Sequence, residues 1–251
     1  MAFPTIQTAD TTNGTVTSNS SSWTLTYPTN LVSGDLILAF VATDGNTSSS
    51  APTPPAFPAG WTDTSNSESA VTLIAGAKIS NGSETGTFSL SLGASEQGGW
   101  RIFRISGWYG SGANLGDSGA EIDQDGIAKR STNDIGGSST PDPPSCNPAN
   151  WDVEDTLWFA VMAADTSRTI SAYPYASNNS ADVSGGAGGA TLGICTTESA
   201  AASVDPGTFT ISASDDWVTY TVAVRPAAVS STVFPPASLI GNFAVPRSYS
   251  Y

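Results

Sequence analysis

The chain has 251 residues, 39% of them hydrophobic and only 12% charged, with a net charge of −14. Average globular proteins carry about 25% charged residues. Seven Trp, nine Phe and seven Tyr argue against disorder, so the composition points to a rigid sheet protein with an uncharged polar surface. It also excludes several classes. No basic stripe exists to neutralise phosphates or anionic lipid, since Lys78 is the only basic residue before Arg101. The absence of His removes the commonest general base and metal ligand.

In chain order, MAFPTIQTAD shows neither the basic nor the apolar region of a signal peptide. No stretch reaches the ~18 apolar residues of a membrane span. Sequons at Asn13, Asn19, Asn46, Asn81 and Asn178 read as surface loops. Residues 23–27 alternate apolar and polar, as a half-buried strand does. Residues 36–42 are continuously apolar, the pattern of a strand covered on both faces. A loop over 44–60 follows, because Pro52, Pro54, Pro55 and Pro58 forbid a central strand there. Strands are predicted at 71–79, 87–92 and 100–106, then a long loop over 108–150. Strands resume at 156–164, 190–197, 207–213 and 216–225, with a glycine-rich loop over 171–189. Cys146 and Cys195 form either one disulfide or two buried free thiols.

Two stretches repeat each other. Leu36 to Asp44 runs in step with Leu157 to Asp165, each an apolar run closed by Asp. Thr72-Leu73 matches Thr191-Leu192, and residues 86–91 match 207–212. Trp100 matches Trp217. Four strands cannot close a core alone, whereas two sets of four can pack face to face. The expected fold is therefore all-β: one β-sandwich of about 8–10 strands over residues 1–226, jelly-roll-like in size, with similar halves at about 23–107 and 151–226. Beyond Pro226, residues 227–251 form an apolar, proline-punctuated tail expected to dock on a neighbour.

Catalytic chemistry finds little support. Glu121, Asp123 and Asp125 alternate before Gly126 like the start of a Ca²⁺ loop, with Asp117 nearby, but the twelfth position holds Thr132. A solvated acidic loop is expected, with no metal and no cofactor. Glu96, Glu121, Asp155 and Asp216 are candidate carboxylates for glycoside hydrolysis, yet no spacing pairs them. Asp35 and Asp155 precede buried strands and suit turn or capping roles. No Gly-x-Ser-x-Gly and no phosphate-binding loop occurs, and no spacing supports a Ser–Lys pair with Lys78 or Lys129. The chain is not expected to be an enzyme. Aromatic residues in or beside loops, Trp61, Trp108, Tyr109, Tyr173 and Tyr175, offer rings that either stack on sugars or cap the core.

The phrases Ser33-Gly-Asp-Leu36, Ala59-Gly-Trp61, Ser95-Glu-Gln-Gly98, Pro141-Asp-Pro-Pro144, Asp155-Thr-Leu-Trp158, Asp215-Asp-Trp217 and Val222-Ala-Val-Arg-Pro226 occur in this order. Together they resemble a family of tailed-bacteriophage virion proteins, fibre-like or decoration-like. The resemblance covers about residues 30–226 and implies a β-sandwich displayed on a virion, with no catalytic residues. The expectation is a capsid decoration or cement protein, or a head-fibre subunit, bound to the major capsid protein or neighbouring virion subunits as a homo-oligomer such as a trimer. Contact residues would be Phe3 and Ile6 at one end and Phe234, Leu239, Ile240, Phe243 and Tyr249 at the other. The alternative is a tail-fibre, receptor-binding module gripping host glycan through Trp61, Trp108, Tyr109 and Tyr173.

Overall fold

A computed structural model describes residues 1–45, 56–68, 70–115, 122–123, 126–183 and 189–228, with 122–123 and 133–136 described for backbone only. The elements in order are β1 (Thr5–Ile6), a 3₁₀ turn (Thr8–Asp10), β2 (Thr12–Thr26), β3 (Leu36–Thr43), β4 (Thr62–Glu68), β5 (Val71–Ile79), β6 (Thr87–Ser106), β7 (Ile122–Asp123), β8 (Ile127–Ser138), β9 (Glu154–Ala164), β10 (Ile170–Ala172), β11 (Ser177–Val183), β12 (Thr191–Ala201), β13 (Thr210–Ile211) and β14 (Asp215–Val224). No helix among the described residues is long and apolar enough to cross a membrane.

All pairings are antiparallel. The first sheet runs β4-β5-β3-β6, with β1 and β2 both bonded to the outer side of β6. The second runs β11-β12-β9-β14-β8-β7, and β10 and β13 make a small separate ribbon. One connectivity serves both sheets. In each, the central strand (β3 or β9) lies between the two later strands (β5 and β6, or β12 and β14). The strand bonded outside the first of those is β4 or β11, and outside the second is β2 or β8. The matched sequences Leu36–Asp44 and Leu157–Asp165 thus begin on the two central strands. Thr72 sits opposite Thr43 and Thr191 opposite Ala164, which are equivalent registers. Trp100 faces Val41 whereas Trp217 faces Ala164, so the tryptophans fall two residues out of step.

The unbroken apolar runs have the expected cause. Leu36, Leu38, Phe40 and Ala42 of β3 meet Leu157, Phe159, Val161 and Ala163 of β9 in the core between the sheets. Alternate residues of β3, Ile37, Ala39 and Val41, face outward against Trp23, Leu25, Leu90 and Trp100. Those residues come from the β2–β6 ribbon, whose register is interrupted between Val16 and Ser22. Gly98 permits this close approach, because a Cβ there would lie 1.8 Å from the Ala42 carbonyl oxygen. The outer face of β9 is covered similarly, with Met162 against Phe209 and Ile211, and Trp158 against Cys146 and Trp151.

The all-β sandwich stands as expected, and several details differ. A jelly roll is built from two Greek keys spread over both sheets. Here, among the described strands, the chain passes from the first six-stranded sheet to the second once, after β6, so the likeness to a jelly roll is one of size and not of connectivity. The expected loop over 108–150 contains the twelve-residue β8, and the expected loop over 171–189 contains β11. Strand β4 was also not anticipated. The two strands predicted at 87–92 and 100–106 are one irregular strand, β6. The tail residues Phe234, Leu239, Ile240, Phe243 and Tyr249, and the loop residues Asp117, Glu121 and Asp125, lie outside the described residues.

Candidate functional site

The two ends of the sandwich differ in chemistry. The base is the end where β3 and β9 begin and β6 and β14 finish. There Tyr109 N–H donates to the Arg225 carbonyl at 2.9 Å and Ala227 N–H to the Gly107 carbonyl at 2.9 Å, joining the two strand ends. Among the described residues, the exposed large apolar side chains are Val153 (66%), Val32 (52%), Met1 (50%) and Ile79 (40%). All four sit at the base. Ile79 is opposite Leu36, Val32 belongs to the turn that leads into β3, and Val153 directly precedes β9. The Met1 amino group lies 3.0 Å from Asp155.

Charge at the base is internally matched. Arg104 bonds Asp35 at 2.6 Å and Asp10 at 2.8 Å. Thr29, Asn30 and Arg104 hold the Asp10 carboxyl below its usual range. Arg225 grips both oxygens of Glu154, at 2.7 and 2.5 Å, and lies 4.7 Å over the Tyr109 ring. Lys78 lies 3.1 Å from Glu84. Burial resists ionisation of Glu84, yet bonds from Asn81 N–H and Ser80 hold its carboxyl down to about 2. Beside the Arg225–Glu154 pair is a cavity of about 210 Å³ lined by Met1, Tyr109, Glu154, Arg225, Pro226 and Ala228.

The opposite end, the apex, is acidic. The two repeat-related residues Asp44 and Asp165 approach each other there, joined by Glu96, Asp215 and Asp216. Glu96 is 6% exposed, and its carboxyl packs so closely on Gly45 that a Cβ would fall 1.6 Å from Oε2. Burial, then Asp44, pushes the Glu96 carboxyl up to about 7. Burial, then Asp215, Asp216 and Asp44, pushes Asp165 up to about 6 against the opposing pull of Arg168. Arg168 and Thr166 hold Asp215 at 2.9 and 2.8 Å. Among the described residues, no group of three acidic or Cys side chains is arranged to hold a metal ion.

The candidate residues disperse over the molecule. Glu96 and Asp216 are both at the apex and Asp155 is at the base, while Glu121 lies outside the described residues. Asp35 does cap its turn, accepting from Val32 N–H at 3.0 Å. Trp108 is 4% exposed in the core, its Nε1 donating to the Gly34 carbonyl at 2.7 Å. Tyr109 faces Arg225 at the base. Trp61 stacks on Phe57 at 4.7 Å on the outer face of the first sheet. Tyr173 meets Phe209 edge-on at 5.8 Å on the outer face of the second. These rings form no common platform. Of the two N-terminal residues expected to contact a partner, Ile6 packs on the inter-sheet core of its own chain, where β1 pairs with Ile105 and Ser106, and Phe3 is half-buried. Both cysteines are buried and not joined in a disulfide, and burial pushes the Cys195 thiol up to about 12.

Two features escaped the sequence. Arg101 of β6 clasps Asp182 of β11 across the sheets at 2.8 and 2.9 Å, with Asn13 adding a bond at 3.1 Å. Lys129 is fully buried between the sheets, with Nζ 2.9 Å from Thr64 Oγ1 and 5.2 Å from the Tyr220 ring centre. For Arg101 the scarcity of cations was the available signal, because a low-charge sheet protein spends its few cations on buried carboxylates.

No protein-family model matches the chain, and neither a curated protein nor a solved structure matches it.

Proposed function

We propose that the chain is a structural protein of a tailed-phage virion, a capsid decoration or cement protein or a head-fibre subunit, attached through its base. One observation carries this reading: among the described residues, the exposed large apolar side chains Met1, Val32, Ile79 and Val153 lie at the one end where residue 228 exits. Apolar surface concentrated on one face is the mark of an interaction site. The apex, with its excess of carboxylates, then points outward, where net charge favours solubility. The resemblance over residues 30–226 agrees with this reading, and so does the consumption of Lys78, Arg101, Arg104, Arg168 and Arg225 in internal ion pairs, which leaves these cations tied to carboxylates.

The test is co-sedimentation with capsids that lack this protein. Wild type and an apex variant, Asp216→Asn, are expected to pellet with capsids, while Val32→Asp/Val153→Asp stays in solution. Equal pelleting of the base and apex variants would remove the base from the reading. Failure of the wild type to bind any virion part would remove the virion.

A further inference from the structure

Along one flank of the sandwich, β6 of the first sheet lies against the edge strand β11 of the second, and a pocket of about 220 Å³ opens between them. Ile6 and Phe103 give it an apolar wall. Arg101 of β6, Thr11, and Asn178, Asn179 and Ser180 of β11 give it a polar one. The backbone of β11 departs from its ladder at this point. Its register with β12 breaks between Ser177 and Ser180, and Asn178 inside the break is left-handed, with φ of 51°. Asparagine tolerates that conformation, and a bulge on an edge strand re-aims side chains and spoils the edge for pairing with another strand. Asn178 and Asn179 are both exposed.

The polar groups of this wall are unevenly spent. Arg101 uses Nε and Nη2 on Asp182, which also accepts from Asn13, so that carboxylate is fully engaged. Asn178 Nδ2 donates to Thr196 Oγ1 at 2.7 Å. Oriented so that its nitrogen donates to the Tyr175 carbonyl at 2.9 Å and the Ser177 carbonyl at 3.2 Å, Asn179 keeps Oδ1 as an acceptor. Thr11 Oγ1 and Ser180 Oγ are shut off from solvent and, among the described residues, have no hydrogen-bond partner. Buried hydroxyls are ordinarily paired, and each of these can both donate and accept. Both residues are only half-buried, so a change of rotamer turns either hydroxyl toward a ligand. Charged ligands fit poorly. An anion meets a chain of net charge −14, and a cation meets Arg101 and a lining without Asp or Glu. The volume lies below the roughly 300 Å³ at which pockets for drug-sized ligands begin, which suits one small ring. We infer that this flank pocket binds a single neutral sugar ring, its hydroxyls on Thr11, Asn179 and Ser180 and its C–H face on Ile6. The site is independent of the base and of any larger assembly.

Amide NMR spectra of the full chain, titrated with the methyl glycosides of glucose, galactose and mannose, test it. Methyl glucuronide serves as the anionic control, and dextran and galactan as neutral polymers. At least one neutral glycoside is expected to shift the amides of Thr11, Asn178, Asn179 and Ser180. A polymer that binds more tightly than its own glycoside identifies the ligand as part of a glycan, and one that does not identifies it as a free sugar; either supports the site. Thr11→Val/Ser180→Ala removes both unpartnered hydroxyls without adding bulk. It is expected to be at least as stable as wild type in urea, yet to bind the glycoside about tenfold more weakly. Absence of shifts with every neutral sugar, which would leave the pocket to water, overturns the inference. So do shifts confined to Trp61 or Tyr173, tighter binding of the glucuronide, or a double variant that binds as wild type does.

Discussion

Replacing Lys129 by Met isolates one energetic term. The ammonium is fully buried on β8, with a single hydroxyl, Thr64 Oγ1, at 2.9 Å and the Tyr220 ring beneath it. Burial lowers its pKa from 10.5 to about 8. Because the folded value lies below the unfolded one, the unfolded chain binds more protons between about 8 and 10.5, and stability rises as pH climbs through that window. The gap corresponds to about 3 kcal/mol of folding free energy withheld at pH 7. Met keeps the length of the side chain and removes the charge. Loss of the Lys129–Thr64 hydrogen bond returns about 1 kcal/mol, so Lys129→Met is expected to be about 2 kcal/mol more stable at pH 7, within the range known for buried ion replacement. Urea unfolding followed by tryptophan fluorescence, at intervals from pH 7 to 9.5, measures both proteins. The difference between them cancels the tyrosines and is expected to shrink as pH rises. A variant less stable than wild type at pH 7, or a difference independent of pH, would refute the reasoning.

Other consequences are equally direct. Glu96, raised to about 7, makes the wild type gain stability as pH falls from above 7 toward the ordinary value of 4.5, because the folded state holds the extra proton; Glu96→Gln is expected to lose its share of that slope in the same urea titration. Arg101→Met strands the buried Asp182 carboxylate and is expected to cost about 3 kcal/mol, most of it recovered in the double variant with Asp182→Asn. Cys146 and Cys195 are expected to resist a thiol reagent in the native protein and to titrate as two thiols in denaturant, with no reductant needed.

The central strands were legible because burial on both faces leaves a mark in composition. Residues 36–42 and 156–164 have no polar face to present, and β3 and β9 are covered by sheet on one side and by ribbon or loop on the other. The edge strands left no such mark. Strands β4 (TDTSNSE) and β11 (SNNSADV) are polar because they need only one good neighbour, β5 or β12, to form. Strand β8 was hidden further by placing a lysine, Lys129, where the period calls for an apolar residue. Connectivity was half written in the matched order of strands, which implied one set per sheet, but strand content alone suits a jelly roll as well. The base was least legible. Val32, Ile79 and Val153 are unremarkable singly, and only the pairing of Ile79 with Leu36 and the proximity of Asp155 to Met1 bring them to one end.

The single passage between the sheets sets a timetable for the nascent chain. When β6 ends at Ser106, every described strand of the first sheet has been made, and no described strand of the second exists. Roughly 50 residues, or about 3 to 10 s of synthesis, separate that moment from the arrival of β9. Throughout that interval Leu36, Leu38, Phe40, Leu73 and Phe103 have no opposing sheet to cover them. The polar edge strand β4 shields such a half-made product from stacking edge to edge, but nothing in its own sequence shields the face. A ribosome stalled between 107 and 150 would release a sheet whose only complementary surface is the other half of the same gene. Supplying that half as a separate polypeptide is the natural way to rescue it.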